Sequence, residues 1–117
     1  MGKTILIVDD SAIMRKMIKA TLQAANHQII GEAKDGSDAV ELYKQARPDL
    51  VTMDITMRGM DGLAAAEKIL AFDSQAKIIF LSNLNEKDYT ENARSLGAKG
   101  YFNKNSTEEI LRLIEQL

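Results

Sequence analysis

The sequence predicts an α/β domain whose parallel sheet is covered by helices on both faces. Two observations predict it. Short apolar runs recur along the chain, near-continuous rather than alternating, which is the pattern of strands buried on both sides. The segments between them carry apolar residues at helical spacing, with capping and turn residues at the junctions. Together they give five strands alternating with five helices.

The first run is Thr4–Val8, followed at once by Asp9 and Asp10 and then by a helix. Ile13, Met17, Thr21 and Ala25 fall on one face of that helix, with Ile18 and Leu22 beside them, and Asn26 stands where a C-cap belongs. The second strand, Gln28–Ala33, leads through Lys34 and Asp35 into a helix marked by Ala39, Tyr43 and Ala46 and closed by Pro48. Leu50–Met53 is the third strand, and Leu63, Ala66, Ile69 and Leu70 mark the helix after Asp54. Lys77–Leu81 is the fourth, leading to a shorter helix with Tyr89, Ala93 and Leu96 that ends at Gly97. Gly100–Phe102 is the fifth. Ser106 and Glu109 have capping-box spacing ahead of Ile110, Leu113, Ile114 and Leu117. His27 is expected in a surface turn, and Met14, Met17, Met53, Met57 and Met60 as core filler.

Composition narrows the function. A chain of 117 residues is long enough for one compact domain, residues 1–117, and not for two. A net charge of -2 argues against a duplex-DNA-binding face. The absence of cysteine removes disulfides and thiolate metal sites. No apolar run approaches the roughly 20 residues of a membrane helix. MGKTILIVDD meets two acids too soon for a signal peptide, and Leu6 stands where a myristoylation signal needs Ser or Thr. The expectation is a cytoplasmic domain with neither nucleic acid nor membrane as a direct partner.

The strand ends carry the chemistry. Open parallel sheets bind ligands outside the carboxyl ends of their strands. There stand Asp9 and Asp10 after the first strand, Asp54 after the third, Ser82 after the fourth and Lys104 after the fifth. Singly each has a plain explanation: Asp10 or Ser11 as a helix N-cap, Ser82 as a turn residue, Lys104 as a solvated charge. Jointly they are complementary. Three crowded carboxylates need a counter-charge, and oxygen ligands without a nitrogen-rich set suit Mg2+ or Mn2+. A cation, an ammonium and a hydroxyl around one carboxylate suit a phosphoryl group, with Asp54 as the nucleophile that becomes an aspartyl-phosphate.

With VDDSAIMRK, DLVTMDITM, MDG, IIFLS and GAKGYFNK in this order and spacing, the chain resembles the receiver domain of bacterial response regulators over essentially its whole length. VDDSA-x-MR is most similar to the chemotaxis, CheY-like branch. The resemblance implies a doubly wound sheet of order 2-1-3-4-5, the order for which CheY and flavodoxin are familiar examples. It implies Asp54 as phosphoacceptor and a Mg2+ ion bound by Asp10, Asp54 and the backbone carbonyl of Thr56, with Asp9 acting through water. Ser82 and Lys104 would contact the phosphoryl oxygens, and Tyr101 would be the switch aromatic coupled to Ser82. It also implies a sensor histidine kinase as donor and a target protein on the surface of the fourth helix, fifth strand and fifth helix. Such a protein is a phosphoacceptor that catalyses only its own phosphorylation and dephosphorylation. Residues Met14, Arg15 and Met17 are a candidate kinase-docking surface, though a plain amphipathic helix explains them almost as well. The chain is expected to be monomeric, and a CheY-like protein standing alone fits it as well as a receiver cut from a longer chain.

Three positions depart from the family: Arg58 where proline is usual, Asn83 where alanine or glycine is usual, and Asn105 after Lys104 where proline is usual. The family's Lys–Pro bond is typically cis. A cis bond before a non-proline residue costs about 2.5–4 kcal/mol, so Lys104–Asn105 is expected to be trans, with Lys104 held less rigidly. Two other classes compete. A haloacid-dehalogenase-type phosphohydrolase would have Asp where Thr56 stands, and a flavodoxin-like cofactor binder would not set two aspartates against a phosphate. A binding module that has lost phosphorylation is kept open by Asn83 and Asn105.

Overall fold

The structure, a computed structural model, describes residues 2–83 and 88–117. The strands are β1 Thr4–Val8, β2 Gln28–Ala33, β3 Leu50–Asp54, β4 Ile78–Ser82 and β5 Gly100–Asn103. The helices are α1 Ala12–Ala24, α2 Gly36–Ala46, α3 Gly62–Phe72, α4 Thr90–Leu96 and α5 Thr107–Gln116. The five strands form one sheet in the order β2-β1-β3-β4-β5, and every pair is parallel. Strand order reverses between β1 and β3, which is where open sheets of this kind bind ligands.

Side chains alternate across the central strands and divide the core in two. Leu6, Val8, Val51, Met53, Ile78 and Phe80 point into the layer covered by α2, α3 and α4. Ile5, Ile7, Leu50, Ile79 and Leu81 point into the layer covered by α1 and α5, where they meet Leu22, Ile110 and Ile114. At the amino ends of the strands, β1 and β3 are fastened reciprocally: the Thr4 N–H donates to Asp49 Oδ2 and the Asp49 N–H to Thr4 Oγ1, each at 2.9 Å. The Thr4 N–H bond, with smaller help from the Thr4 hydroxyl and the charges of Lys3 and Lys77, holds the Asp49 carboxyl below the usual aspartate range.

The expected element order is observed, with strand ends shifted by one residue. Asp54 and Ser82 are the last residues of β3 and β4, paired with Leu81 and Asn103, so the sheet itself aims them. Ser11, Asp35 and Asp61 cap α1, α2 and α3, each accepting a backbone N–H from three residues on. Gly97 ends α4 with φ 84°, as expected. The αL residue after α2 is Arg47, one before Pro48.

Several expectations are corrected. Ser106 is the N-cap of α5, yet its ψ of 52° lies outside the extended conformation, and no side-chain capping bond forms. His27 is not a surface turn residue: it is 5% exposed, its Nδ1 accepts the Lys3 N–H at 3.1 Å, and Nε2 lies 3.4 Å from Glu115 Oε1. Since Nδ1 is an acceptor, the neutral ring carries its proton on Nε2, toward the glutamate. Met53 and Met57 are core residues, Met14 and Met60 are half-buried, and Met17 is 57% exposed beside exposed Ile13. The core therefore does not absorb every apolar position of α1.

Candidate functional site

Four neighbouring strands deliver the predicted residues to one place. Asp9 follows β1, Asp54 ends β3, Ser82 ends β4, and Lys104 follows β5, where its N–H donates to the Ser82 carbonyl at 2.9 Å. The Lys104 ammonium lies 2.8 Å from Asp9 Oδ2 and 3.5 Å from Asp54 Oδ1. Its side chain is 6% exposed, between acids that are 1% and 2% exposed. The peptide bonds of the described residues are all trans, Lys104–Asn105 included, as the loss of proline predicts. The trans loop nonetheless encloses the ammonium: Asn103 Oδ1 accepts the Asn105 N–H at 2.9 Å and the Asn103 carbonyl accepts the Ser106 N–H at 2.9 Å.

One ammonium cannot balance three acids. Asp9, Asp10 and Asp54 each place a carboxylate oxygen within 4.8 Å of the other two. Asp9 and Asp54 are buried, while Asp10 is exposed and opens the group to solvent. An all-oxygen, strongly anionic set with an open side fits a hard divalent cation that keeps part of its water shell. Burial works against the charge on Lys104, but its hydrogen bond to Asp9 and the charges of Asp54 and Asp9 outweigh burial and raise its pKa. The ammonium is thus charged through the neutral range, and its pairing is lost only as pH climbs past the ordinary lysine value.

The backbone fixes Asp9 further. Its N–H donates to the Ala33 carbonyl at 3.1 Å, and its Oδ1 accepts the Ser11 N–H at 2.9 Å. Behind Asp54, the Gly62 N–H donates to the Ile55 carbonyl at 2.7 Å. A Cβ at Gly62 would collide with the Asp54 carbonyl oxygen, so the glycine of the MDG stretch is what lets the β3–α3 loop fold back.

Thr56 and Asn83 are exposed beside the site. Arg58 is also exposed and lines an open cleft with Asp10, Ser11, Lys34 and Asp35. Tyr101 stands apart, half-buried on β5, its hydroxyl accepting the Tyr89 N–H at 3.1 Å. Two participants were not assigned to the site from sequence. Gly62 belongs to the MDG stretch, whose spacing alone does not show the close approach to the Asp54 carbonyl that requires glycine. Arg15, read as a candidate docking residue, donates its Nη1 to the Asp9 carbonyl at 2.8 Å.

A parallel sheet of order 2-1-3-4-5 with an acid group and an ammonium at its switch point defines the class, and comparison agrees. The chain belongs to the response regulator receiver domain family, whose model matches residues 5–115. Within it the chain is CheY-like, a receiver of two-component signal transduction. It is 45% identical over 104 residues to the chemotaxis protein CheY of Thermotoga maritima, covering 89% of this chain and 87% of the relative. CheY of Bacillus subtilis is 46% identical over the same coverage. Among solved structures, the CheX–CheY–BeF3–Mg2+ complex of Borrelia burgdorferi superposes with a TM-score of 0.89 at 33% identity, covering 97% of this chain and 87% of that one. The response regulator domain of Thermotoga maritima CheB gives 0.89 at 31% identity, covering 99% and 96%.

Proposed function

We propose that this chain is a single receiver domain acting as a phosphorylation switch, with Asp54 accepting a phosphoryl group from a sensor histidine kinase. The observation that carries this reading is the Lys104 ammonium closed onto both Asp9 and Asp54, at an acid group open to solvent on one side. The Borrelia relative, whose structure contains Mg2+ and BeF3 together with CheX, supports carrying the metal to this chain. Mg2+, or Mn2+ in its place, would be held by Asp10, Asp54 and the Thr56 carbonyl, with Asp9 through water, and would supply neutralising charge for the phosphoryl oxygens.

The chain's own residues do the rest. An Asp54 carboxylate oxygen attacks phosphorus, a new O–P bond forms, and the bond from phosphorus to the donor nitrogen or oxygen breaks. The donor leaves with that electron pair and takes a proton. The Asp54 anion is used up in the step, so Lys104 is freed from holding its charge and takes up a phosphoryl oxygen instead. Ser82, at the end of β4, would donate its hydroxyl to another. Movement of Ser82 would be read by Tyr101 on β5, so the α4–β5–α5 surface is the output for a target protein. The chain is in this reading a phosphoacceptor acting on itself, not an enzyme with turnover of a separate substrate.

The test is intact mass after incubation with acetyl phosphate, with and without Mg2+, for wild type and Asp54→Asn. A single phosphoryl gain is expected in the wild type with Mg2+ alone. No gain in a wild type that binds Mg2+ would reject the switch and leave a module signalling by protein contact.

A further inference from the structure

We infer that Arg15 is a positioning residue for the acid group: it fixes the peptide joining Asp9 to Asp10, and so sets the aim of both carboxylates at a divalent cation. The inference rests on the metal reading given above. Arg15 lies in the first turns of α1, and its Nη1 donates to the Asp9 carbonyl oxygen at 2.8 Å. Its Nε is 3.5 Å from Glu32 Oε1, and the other Glu32 oxygen accepts from Lys19 Nζ at 3.3 Å. Arg15 and Lys19 are four residues apart on one face of α1, so both meet Glu32 where β2 passes beneath. The Arg15 side chain is 20% exposed, and its guanidinium is held at both ends.

The carbonyl it grips belongs to the peptide that carries the Asp10 N–H. Asp9 has anchors of its own, in the Ala33 carbonyl, the Ser11 N–H and the Lys104 ammonium. Asp10 has none: among the described residues its carboxylate makes no hydrogen bond or ion pair, and it is exposed. Its direction is therefore set by its backbone alone, and Arg15 is the side chain that holds that backbone.

Charge and geometry make opposite forecasts, which is what makes the inference testable. As a positive charge near three acids, Arg15 opposes a divalent cation, and its removal should tighten Mg2+ binding. As the clamp on the Asp9–Asp10 peptide it favours the cation, and its removal should weaken binding. The measurement is Mg2+ titration by isothermal calorimetry on the whole chain, for wild type, Arg15→Gln and Arg15→Lys. Glutamine should weaken binding about tenfold, the lower end of what losing an outer-sphere contact costs a metal site. Lysine keeps the charge but not the fork that spans a carbonyl and a carboxylate, so it too should be weaker than wild type.

Tyr43→Phe, which removes a hydrogen bond in the opposite layer, serves as the control for lost stability alone and should bind Mg2+ as the wild type does. Amide NMR adds a readout independent of stability: the Asp10 and Ser11 N–H signals should broaden in both Arg15 variants and stay sharp in the control. Either Arg15 variant binding Mg2+ as tightly as wild type, or more tightly, would overturn the inference. A wild type that binds no Mg2+ would overturn the metal reading and this inference with it, a result recognisable because no chain in the set would then titrate.

Discussion

Thr52 buries a hydroxyl that finds no partner among the described residues. The residue is 1% exposed in the α1–α5 layer of β3, and among the described residues its Oγ1 makes no hydrogen bond. An unpaired buried hydroxyl costs on the order of 1 kcal/mol or more. Thr52→Val keeps the branched shape and is expected to stabilise the chain by about 1 kcal/mol, read as a higher urea midpoint at unchanged m-value; a lower midpoint would show that the hydroxyl is serving a hidden partner. Tyr43 is the opposite case. Burial, reinforced by the 2.8 Å hydrogen bond to Asp73, raises its phenol well above the usual tyrosine range. A raised pKa means that the folded state favours the protonated phenol, so this stabilisation is present below the ordinary value and lost as pH rises through the folded one. Absorbance titration should show a late step for Tyr43, and Tyr43→Phe should remove it. At this scale the sequence was legible where chemistry was joint and obscure where it depended on direction. Asp9, Asp54, Ser82 and Lys104 were found because strand ends alone bring them together. His27 was misread, and the Arg15 contact to Asp9 was not foreseen, because each depends on which neighbour the side chain turns toward, and no local periodicity carries that.

Elements were legible because apolar runs and helical spacing do not overlap in this chain; their ends were less so. β3 and β4 each run one residue further than their apolar runs, since the backbone of Asp54 and Ser82 still pairs in the ladder. The capping box at α5 failed because the turn after β5 is already closed by Asn103, leaving Ser106 outside the extended conformation a side-chain cap needs. The start of α3 has no such latitude. Gly62→Ala should cost about 1–3 kcal/mol through forced displacement of the β3–α3 loop, visible as a lowered melting temperature together with weakened Mg2+ binding. Where β1 and β3 begin, the Thr4–Asp49 pair has a pH signature. The folded state lowers the Asp49 pKa, so its contribution is complete above the ordinary value of 3.8 and disappears as pH falls through the folded one. Subtracting the melting curve of Asp49→Asn from that of the wild type should give a difference that shrinks steadily between about pH 5 and pH 2. A difference constant with pH would assign the fastening to the Thr4 hydroxyl alone.

For the molecule as a whole, the acid group sets stability against readiness. Without a cation, three carboxylates share one ammonium, and Asp54→Asn should raise metal-free stability by about 1–2 kcal/mol by removing one repelling charge. Mg2+ should narrow the gap, because only the folded wild type gathers the full set; at 100 times its dissociation constant a ligand adds about 2.7 kcal/mol. Calorimetric melting of both chains with and without Mg2+ checks the pair of forecasts, and a metal-free wild type as stable as the variant would mean that Lys104 already balances the group. The all-parallel strand order carries this conflict into the time when the chain is made. With no hairpin in the sheet, each strand joins only through a helical crossover, and the strand that leads to the counter-charge is the last one synthesised. A nascent chain leaving the ribosome therefore holds its three acids long before Lys104 emerges to pair with them. Three like charges at the ends of β1 and β3 oppose early closure of those strands, so the site is complete only when the strand that leads to Lys104 arrives.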